Sequence, residues 1–212
     1  MRHILLIALP AILLLSGCAK MMNENQCLVA DWRSVGYEDG SQGRSEQWLS
    51  RRSEACAEFG VTPDLDQYLF GRNQGLEVFC QPRRGFSLAL NGTRYENVCP
   101  AGLEGPFLAG YRDGQGLRDR EIRYNELENR IESSFAELAD LDLAIEENTL
   151  TLATENMTTQ ERIAYALDLK NMAEDRGRLS EIIPQLEAER DASLYDLDAY
   201  RASIAPKYPG AL

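Results

Sequence analysis

The sequence predicts a mainly α-helical protein, in which a disulfide-stapled helical head with a small β-hairpin precedes a long antiparallel helical hairpin of coiled-coil type. Three observations support this prediction. Four cysteines alternate with a repeated small-residue signature over residues 27–114, apolar residues then recur seven apart, and a Thr-x-x-Glu capping box opens a second long helix. We expect a leader at 1–17, a tether at 18–26, the head at 27–116, the hairpin at 117–204 and an extended tail at 205–212.

The first residues have the features of an export signal. Arg2 precedes an apolar run over residues 4–15 that is too short to span a bilayer. The segment Leu15-Ser16-Gly17-Cys18 resembles the lipobox of bacterial lipoproteins, which implies cleavage before Cys18 and acylation of that residue. Ala19 stands where an inner-membrane retention signal usually has Asp, so resemblance to known sorting rules favours the outer membrane, on its periplasmic face. The membrane would then be reached through a firm lipid anchor.

Charge, histidine content and cysteine spacing exclude several classes of function. The chain has a formal net charge of −12, and an acidic chain without a basic stripe is a poor candidate for nucleic-acid binding. His3 is the only histidine and would leave with the leader. The mature chain therefore cannot contain a histidine-dependent triad or a histidine-ligated zinc site. The cysteines form no C-x2-C knuckle, so we expect neither a metal nor another cofactor.

The small-residue signature occurs three times, each time after an aromatic residue. The copies are Trp32-x3-Gly36-x3-Gly40, Tyr68-x2-Gly71-x3-Gly75 and Phe107-x2-Gly110-x3-Gly114. A glycine inside a helix costs about 1 kcal/mol relative to alanine, so these six positions require a compensating gain. We favour helix-packing contacts, in which small residues allow two backbones to approach closely. Turns that contact a ligand and left-handed loop positions stay open as alternatives.

The head is expected to contain two helices before its β-hairpin. Asp31 caps a helical pattern that runs to residue 59, and Thr62-Pro63-Asp64 starts a second helix over 63–80. Between residues 85 and 99, apolar residues alternate on either side of Asn91-Gly92, which is the preferred two-residue turn of a β-hairpin. A loop at 102–106 would follow.

The second half has the period of a coiled coil. A helix is expected from about residue 107 to residue 147, because apolar residues recur seven apart in it: Leu117, Tyr124, Ile131, Leu138 and Ile145. Thr158 and Glu161 form the capping box of a return helix that ends near residue 203, and Pro184 should kink it. Two such arms pack as an antiparallel hairpin.

Four cysteines in an oxidising compartment indicate two disulfides. If the first two helices are antiparallel, Cys27 lies beside Cys80, and Cys56 then pairs with Cys99. The rival arrangement joins Cys80 to Cys99 and Cys27 to Cys56. A continuous helix over 31–56 would be about 38 Å long and would keep that last pair apart, unless the helix breaks at its glycines. We therefore prefer Cys27–Cys80 and Cys56–Cys99.

The order of cysteines and glycines resembles a known family. The succession Cys27, Asp31-Trp32, Gly36, Asp39-Gly40, Gly43, Cys56, Pro63-Asp64, Tyr68, Gly71-Arg72, Gly75-Leu76, Cys80 and Cys99-Pro100 is similar to that of a family of bacterial lipoproteins of unknown function, over residues 27–114. The resemblance implies no activity, substrate or catalytic residue.

These observations favour a non-enzymatic lipoprotein of the cell envelope with a structural or protein-interaction role. Its hairpin, residues 117–204, would bind an envelope protein or a second copy of the chain. The alternative is a module that binds peptidoglycan or a carboxylate-dependent hydrolase. Asp39 and Asp113 are then the first candidates, because such hydrolases need two carboxyl groups that face one cleft.

Overall fold

The computed structural model describes residues 21–211, so Cys18 and the leader lie outside the described residues. Within this range, secondary structure is entirely helical, without a strand. The helices are α1 (Glu24–Leu28), α2 (Trp32–Ser41), α3 (Gln47–Ala57), α4 (Leu65–Phe79), α5 (Pro82–Leu90), α6 (Ala101–Thr154) and α7 (Thr159–Ile204), followed by a 3-10 turn at Ala205–Lys207. The chain divides into two compact units, Met1–Val78 and Phe79–Leu212, whereas the sequence suggested one head that ends at residue 116.

The first unit is organised by the contact between α2 and α4. A Cβ at Gly36 would lie less than 3.0 Å from the carbonyl of Tyr68, and one at Gly40 would overlap the next turn of α4. Gly71 and Gly75 lie equally close to backbone atoms of α2. Real Cβ atoms do not adopt such distances, so at this helix separation only glycine fits these four positions. The core beside this contact consists of Met22, Cys27, Trp32, Cys56 and Tyr68.

The base of the second unit contains the same kind of contact, between α5 and α6. Gly85 lies against the carbonyl of Phe107, and Gly110 against the carbonyl of Pro82. Gly114 approaches the carbonyl of Phe86 and the side chain of Ala89. All six glycines of the signature therefore lie against the backbone of a partner helix, and α5 carries a fourth copy, Gly85-x3-Ala89, which the sequence analysis missed.

The two helix pairs correspond position by position. Gly36 contacts the carbonyl of Tyr68 as Gly85 contacts that of Phe107. In both pairs, a glycine in the left-handed region lies seven residues further along: Gly43 with φ 68° and Gly92 with φ 72°.

A hydrogen bond after each left-handed glycine is also repeated. Arg72 Nη2 on α4 donates to the carbonyl of Arg44 at 3.1 Å, and Tyr111 OH on α6 donates to the carbonyl of Thr93 at 3.0 Å. These matched contacts show that one two-helix module occurs twice in the chain, once in each unit.

Helices α6 and α7 form the antiparallel pair that the sequence predicted, over 54 and 46 residues. The capping box is confirmed, because Thr158 Oγ1 accepts from the Glu161 N–H at 3.3 Å and the Glu161 carboxylate accepts from the Thr158 N–H at 2.8 Å. Apolar side chains are buried in the part of the pair nearer α5: Leu117, Leu127, Ile131, Ile183, Leu186 and Leu197. Towards the connection between the helices, Leu138 and Ile145 are only half-buried.

The helix and the disulfide pairing that we expected in the first unit are both wrong, and for the same reason. The helix expected over 31–59 is broken, because Gly43 adopts a left-handed conformation after α2 and α3 begins only at Gln47. The reversal returns Cys56 to Cys27, which removes the 38 Å objection to this pairing. The structure accordingly pairs Cys27 with Cys56, at a Cα separation of 5.4 Å, and Cys80 with Cys99, at 5.7 Å, rather than Cys27 with Cys80 and Cys56 with Cys99.

The expected β-hairpin at 85–99 is also wrong. Residues 82–90 form α5, and Asn91-Gly92 ends this helix instead of turning a strand. The Thr93 N–H donates to the Leu88 carbonyl at 3.0 Å and the Gly92 N–H to the Ala89 carbonyl at 2.8 Å, which is the hydrogen-bond pattern of a Schellman cap. A glycine in the left-handed conformation fits a hairpin turn and a helix end equally well. The packing of Gly85 against α6 favours the helix here.

Three shorter segments differ from the expectation because they pack on a neighbour. The loop expected at 102–106 belongs to the first turns of α6, which contains Pro106. The tail expected to be extended forms the 3-10 turn and returns Tyr208, whose ring stacks on Phe86 at 4.2 Å. In the expected tether, Asn23 caps α1 with a capping box and Met22 enters the core.

Candidate functional site

A buried ionic cluster in the first unit is centred on Asp39, one of the two candidate carboxylates. Asp39 lies on α2 and is fully buried. Its Oδ1 accepts from Arg44 Nη1 at 2.8 Å and from Arg52 Nη2 at 2.6 Å. Its Oδ2 accepts from Arg52 Nε at 2.9 Å and from Tyr68 OH at 2.8 Å. Since Arg52 lies on α3 and Tyr68 on α4, the cluster joins three helices.

The charged state of Asp39 follows from these contacts. Burial opposes its ionisation, but the hydrogen bonds from Arg52, Arg44 and Tyr68 outweigh burial and hold the pKa of the carboxyl below its ordinary value. Burial, followed by the bond to Asp39, raises the pKa of Tyr68, so the phenol stays protonated as a donor. A carboxylate has about four lone-pair positions, and all four are occupied here. Asp39 therefore has no free position from which to act as a base or nucleophile.

The second candidate carboxylate, Asp113, lies on α6 in the second unit and holds the C-terminal tail. Its Oδ2 accepts from Tyr208 OH at 2.8 Å and from Lys207 Nζ at 3.1 Å. Burial, followed by the bond to Asp113, raises the pKa of Tyr208, which keeps this phenol protonated. These contacts give Asp113 a structural role in its own unit.

An open cavity of about 460 Å³ adjoins the ionic cluster within the first unit. Arg44 and Arg52 supply positive charge to its lining, and Glu38 supplies a carboxylate. The guanidinium of Arg44 lies 4.1 Å from the centre of the Trp48 ring. The other lining residues are mainly apolar: Met21, Met22, Val29 and Val35, with Gln26. The cavity is therefore amphipathic, with two cations on one wall.

Arg72 is a third cation of this unit, and unlike Arg44 it is buried. It is 6 % exposed, and its Nη2 is held by the carbonyl of Arg44. Its Nε has no hydrogen-bond partner in the described structure, although it is buried. The guanidinium groups of the cluster thus exceed the charge that Asp39 neutralises.

The outer surface of the helical hairpin carries apolar side chains near the connection between α6 and α7. Leu143 and Leu150 on α6, and Ile163 and Leu167 on α7, are each more than half exposed. Leu143 follows the half-buried Leu141 by two residues, which is about 200° around the helix, so it faces away from α7. By the same spacing, Leu167 faces away from α6 relative to Leu169. Both helices therefore present apolar groups on their far sides.

Two further observations concern residues 21–211 only. No group of three or more histidine, cysteine, aspartate or glutamate side chains is arranged to hold a metal ion. No helix in this range combines the length and the hydrophobicity needed to cross a bilayer.

Sequence reasoning named Asp39 but missed its partners Arg44 and Arg52. No local pattern identifies them, because Arg52 reaches Asp39 only after the reversal at Gly43. The fourth glycine copy was detectable, since Gly85-x3-Ala89-x2-Gly92 repeats the spacing of Gly36-x3-Gly40-x2-Gly43.

Comparison with known proteins gives one match. No curated protein and no solved structure matches the chain. The matching region begins at the N-cap of α2 and ends in α6, so it contains both copies of the two-helix module. Residues 31–116 match the family described as "Protein of unknown function (DUF2799)".

Proposed function

We propose that this protein is a non-enzymatic lipoprotein of the cell envelope, anchored through Cys18 at the periplasmic face of the outer membrane, whose helical hairpin binds a partner helix. The observation that carries the binding role is the exposed apolar surface of the hairpin near the connection between α6 and α7. We call the part of this surface on the far side of α6, formed by Leu143 and Leu150, the tip surface.

The tip surface has the spacing that a further helix requires. Leu143 and Leu150 lie seven residues apart, and Ala136 continues this row by one more heptad. Apolar residues at such intervals form the seam that a neighbouring helix covers. Leaving these side chains in water forgoes about 1.5–3 kcal/mol for each one that a partner would bury. A partner helix therefore stabilises this end of the hairpin.

The carboxylates also favour a non-enzymatic role. The hydrolase alternative needs two carboxyl groups available in one cleft. Asp39 has its lone pairs occupied by Arg44, Arg52 and Tyr68, and Asp113 holds Lys207 and Tyr208. Neither carboxyl group is therefore available in a cleft, as the hydrolase alternative requires.

Crosslinking in intact cells tests the partner. A photoreactive residue at position 150 should yield a crosslinked product, and one at position 195 should not, because Tyr195 is also exposed but lies away from the tip surface. Substitution of Leu143 by Ser should reduce the yield from position 150. A product of twice the chain mass identifies a second copy as the partner. Equal yields from both positions, or none from position 150, would refute the binding role.

Mass spectrometry of the mature amino terminus tests the anchor. We expect a peptide that begins at Cys18 with acyl chains attached, in the outer-membrane fraction. A Cys18→Ala variant should lose the acyl groups and the membrane association. An unmodified mature terminus, or a wild-type chain recovered from the cytosol, would contradict the anchor.

A further inference from the structure

The duplicated module provides an internal control for the buried ionic cluster. At the positions that correspond to Asp39 and Tyr68, the second unit has Leu88 and Phe107. The α5–α6 contact forms with these apolar side chains, so the module does not require a buried carboxylate to close. Replacement of a buried ion pair by packed apolar residues is often neutral or stabilising. The α2–α4 contact therefore does not by itself require the cluster, which in addition ties α3 to α2 through Arg52.

The charge of the cluster is unbalanced. Arg44 and Arg52 both bond the one buried carboxylate, Asp39, and Arg72 bonds the carbonyl of Arg44. The cavity lining contains one further carboxylate, that of Glu38. Among residues 21–211, the side chain of Arg44 uses only Nη1 for a hydrogen bond, to Asp39. A guanidinium has five N–H donors, so Arg44 retains donors for an anion in the cavity.

Asp39 fixes these cations in place. Its bonds to Arg44 and Arg52 orient both guanidiniums at the cavity wall before any ligand arrives. The ring of Trp48 also packs against the Arg44 guanidinium, at 4.1 Å. Planar guanidiniums fixed in this way suit the oxygen atoms of a phosphate.

Apart from Gln26 and Glu38, the remainder of the cavity lining is apolar, and the cavity opens beside exposed apolar residues. Met21, Met22 and Val35 line it, and Val29 on its rim is 81 % exposed. Its neighbour Leu28 is 59 % exposed. A cationic site with an apolar rim fits a ligand that has one anionic group and an aliphatic part. It does not suit a polyanion, which the net charge of −12 would repel.

We propose that this cavity binds the phosphate of a membrane phospholipid, with Arg44 and Arg52 contacting the phosphate and Leu28 and Val29 entering the lipid surface. The choice of ligand rests on the proposed anchor, because Met21 on the cavity wall is three residues after Cys18. That segment spans at most about 11 Å, so an acylated Cys18 places the cavity at the bilayer.

Vesicle binding tests the proposal with the chain from residue 19 to residue 212, which keeps every described residue and carries no acyl group. It should float with vesicles of phosphatidylcholine, which present a phosphate without the net negative surface charge that would repel this acidic chain. Arg44→Gln should weaken this binding about tenfold, because a charge-assisted hydrogen bond to the phosphate is lost. Arg51→Gln is the matched control, since Arg51 also lies over Trp48, at 5.6 Å, but does not line the cavity. Equal loss in both variants would indicate surface charge alone and overturn the proposal.

Soluble probes separate the sources of the phosphate. Dihexanoyl phosphatidylglycerol should shift the tryptophan fluorescence of the chain, and glycerol 3-phosphate should do so only weakly. Val29→Ser, at an exposed position that does not threaten folding, should weaken vesicle binding but not the response to glycerol 3-phosphate. Equal binding of both probes without vesicle binding would indicate that the ligand is a free phosphate and would overturn the proposal. No response to either probe would also overturn it.

Failure of this proposal is distinguishable from failure of the anchor. An unacylated terminus in cells would refute the anchor while leaving vesicle binding by the 19–212 chain unchanged. Absence of that binding would refute the cavity's role and leave an acylated Cys18 unaffected.

Discussion

Substitution of Gly71 by alanine tests the close approach of α2 and α4. The new Cβ would lie 3.0 Å or less from the carbonyl oxygen and carbon of Arg33 and from the nitrogen of Tyr37. These are backbone atoms of α2 that cannot rotate aside, so the two helices must separate. Overpacking of this kind costs about 1–3 kcal/mol, and we expect the upper end. Alanine regains about 1 kcal/mol of helix propensity, which leaves a net loss of about 2 kcal/mol.

Gly177→Ala is the matched control. Gly177 lies inside α7 with nothing within 4 Å of its built Cβ. The same substitution should therefore stabilise the second unit by up to about 1 kcal/mol, because only the propensity gain remains. The opposite signs of the two changes separate packing from propensity.

Denaturant unfolding with intact disulfides measures both effects. The chain has two tryptophans, Trp32 and Trp48, and both lie in the first unit, so their fluorescence reports on that unit. Gly71→Ala should move the fluorescence transition to lower denaturant. Gly177→Ala should move the circular-dichroism transition of the helical hairpin to higher denaturant. A Gly71→Ala variant with the stability of the unsubstituted chain would refute the reasoning that the glycines permit backbone contact.

Three further changes test the cluster, the disulfides and the tail. Asp39→Asn should destabilise the first unit by about 3–5 kcal/mol, because Arg52 stays buried without its carboxylate. Since the pKa of Asp39 is lowered in the folded state, its contribution to stability is present above the ordinary carboxyl pKa and is lost as the pH falls towards the folded-state value. Replacement of Cys27 and Cys56 by Ala opens a loop with a sequence separation of 29 and should cost about 3–4 kcal/mol. Tyr208→Ala should lower the stability of the second unit by about 3 kcal/mol, because its ring packs on Phe86.

Each of these predictions has an outcome that contradicts it. If the unfolding transition followed by tryptophan fluorescence shifts equally with acid pH in Asp39→Asn and in the unsubstituted chain, the carboxylate does not control the pH response. A peptide that links Cys27 to Cys80 in an unreduced digest would disprove the disulfide pairing. For Tyr208→Ala, a circular-dichroism transition identical to that of the unsubstituted chain would show that the tail does not stabilise α6.

The local features of the chain were predictable because they depend on neighbours in the sequence. The box at Thr158 and Glu161 starts α7, and the seven-residue spacing from Leu117 to Ile145 identifies α6. The glycines were recognisable as unusual, since each of them destabilises the helix in which it lies. Such signals act within a few turns of one helix, and they identified the antiparallel pair of long helices.

The sequence by itself predicted α4, the long antiparallel pair α6 and α7, and a cysteine count that permits two disulfides. Tertiary structure decided the pairing of Cys27 with Cys56. A glycine such as Gly43 can end a helix or lie inside one, and the contact with α4 favours the chain reversal at Gly43 that brings the two cysteines together. Tertiary structure likewise decided that Asn91-Gly92 caps α5. It also placed two arginines on Asp39, because hydrogen bonds between residues far apart in the chain form only when three helices converge.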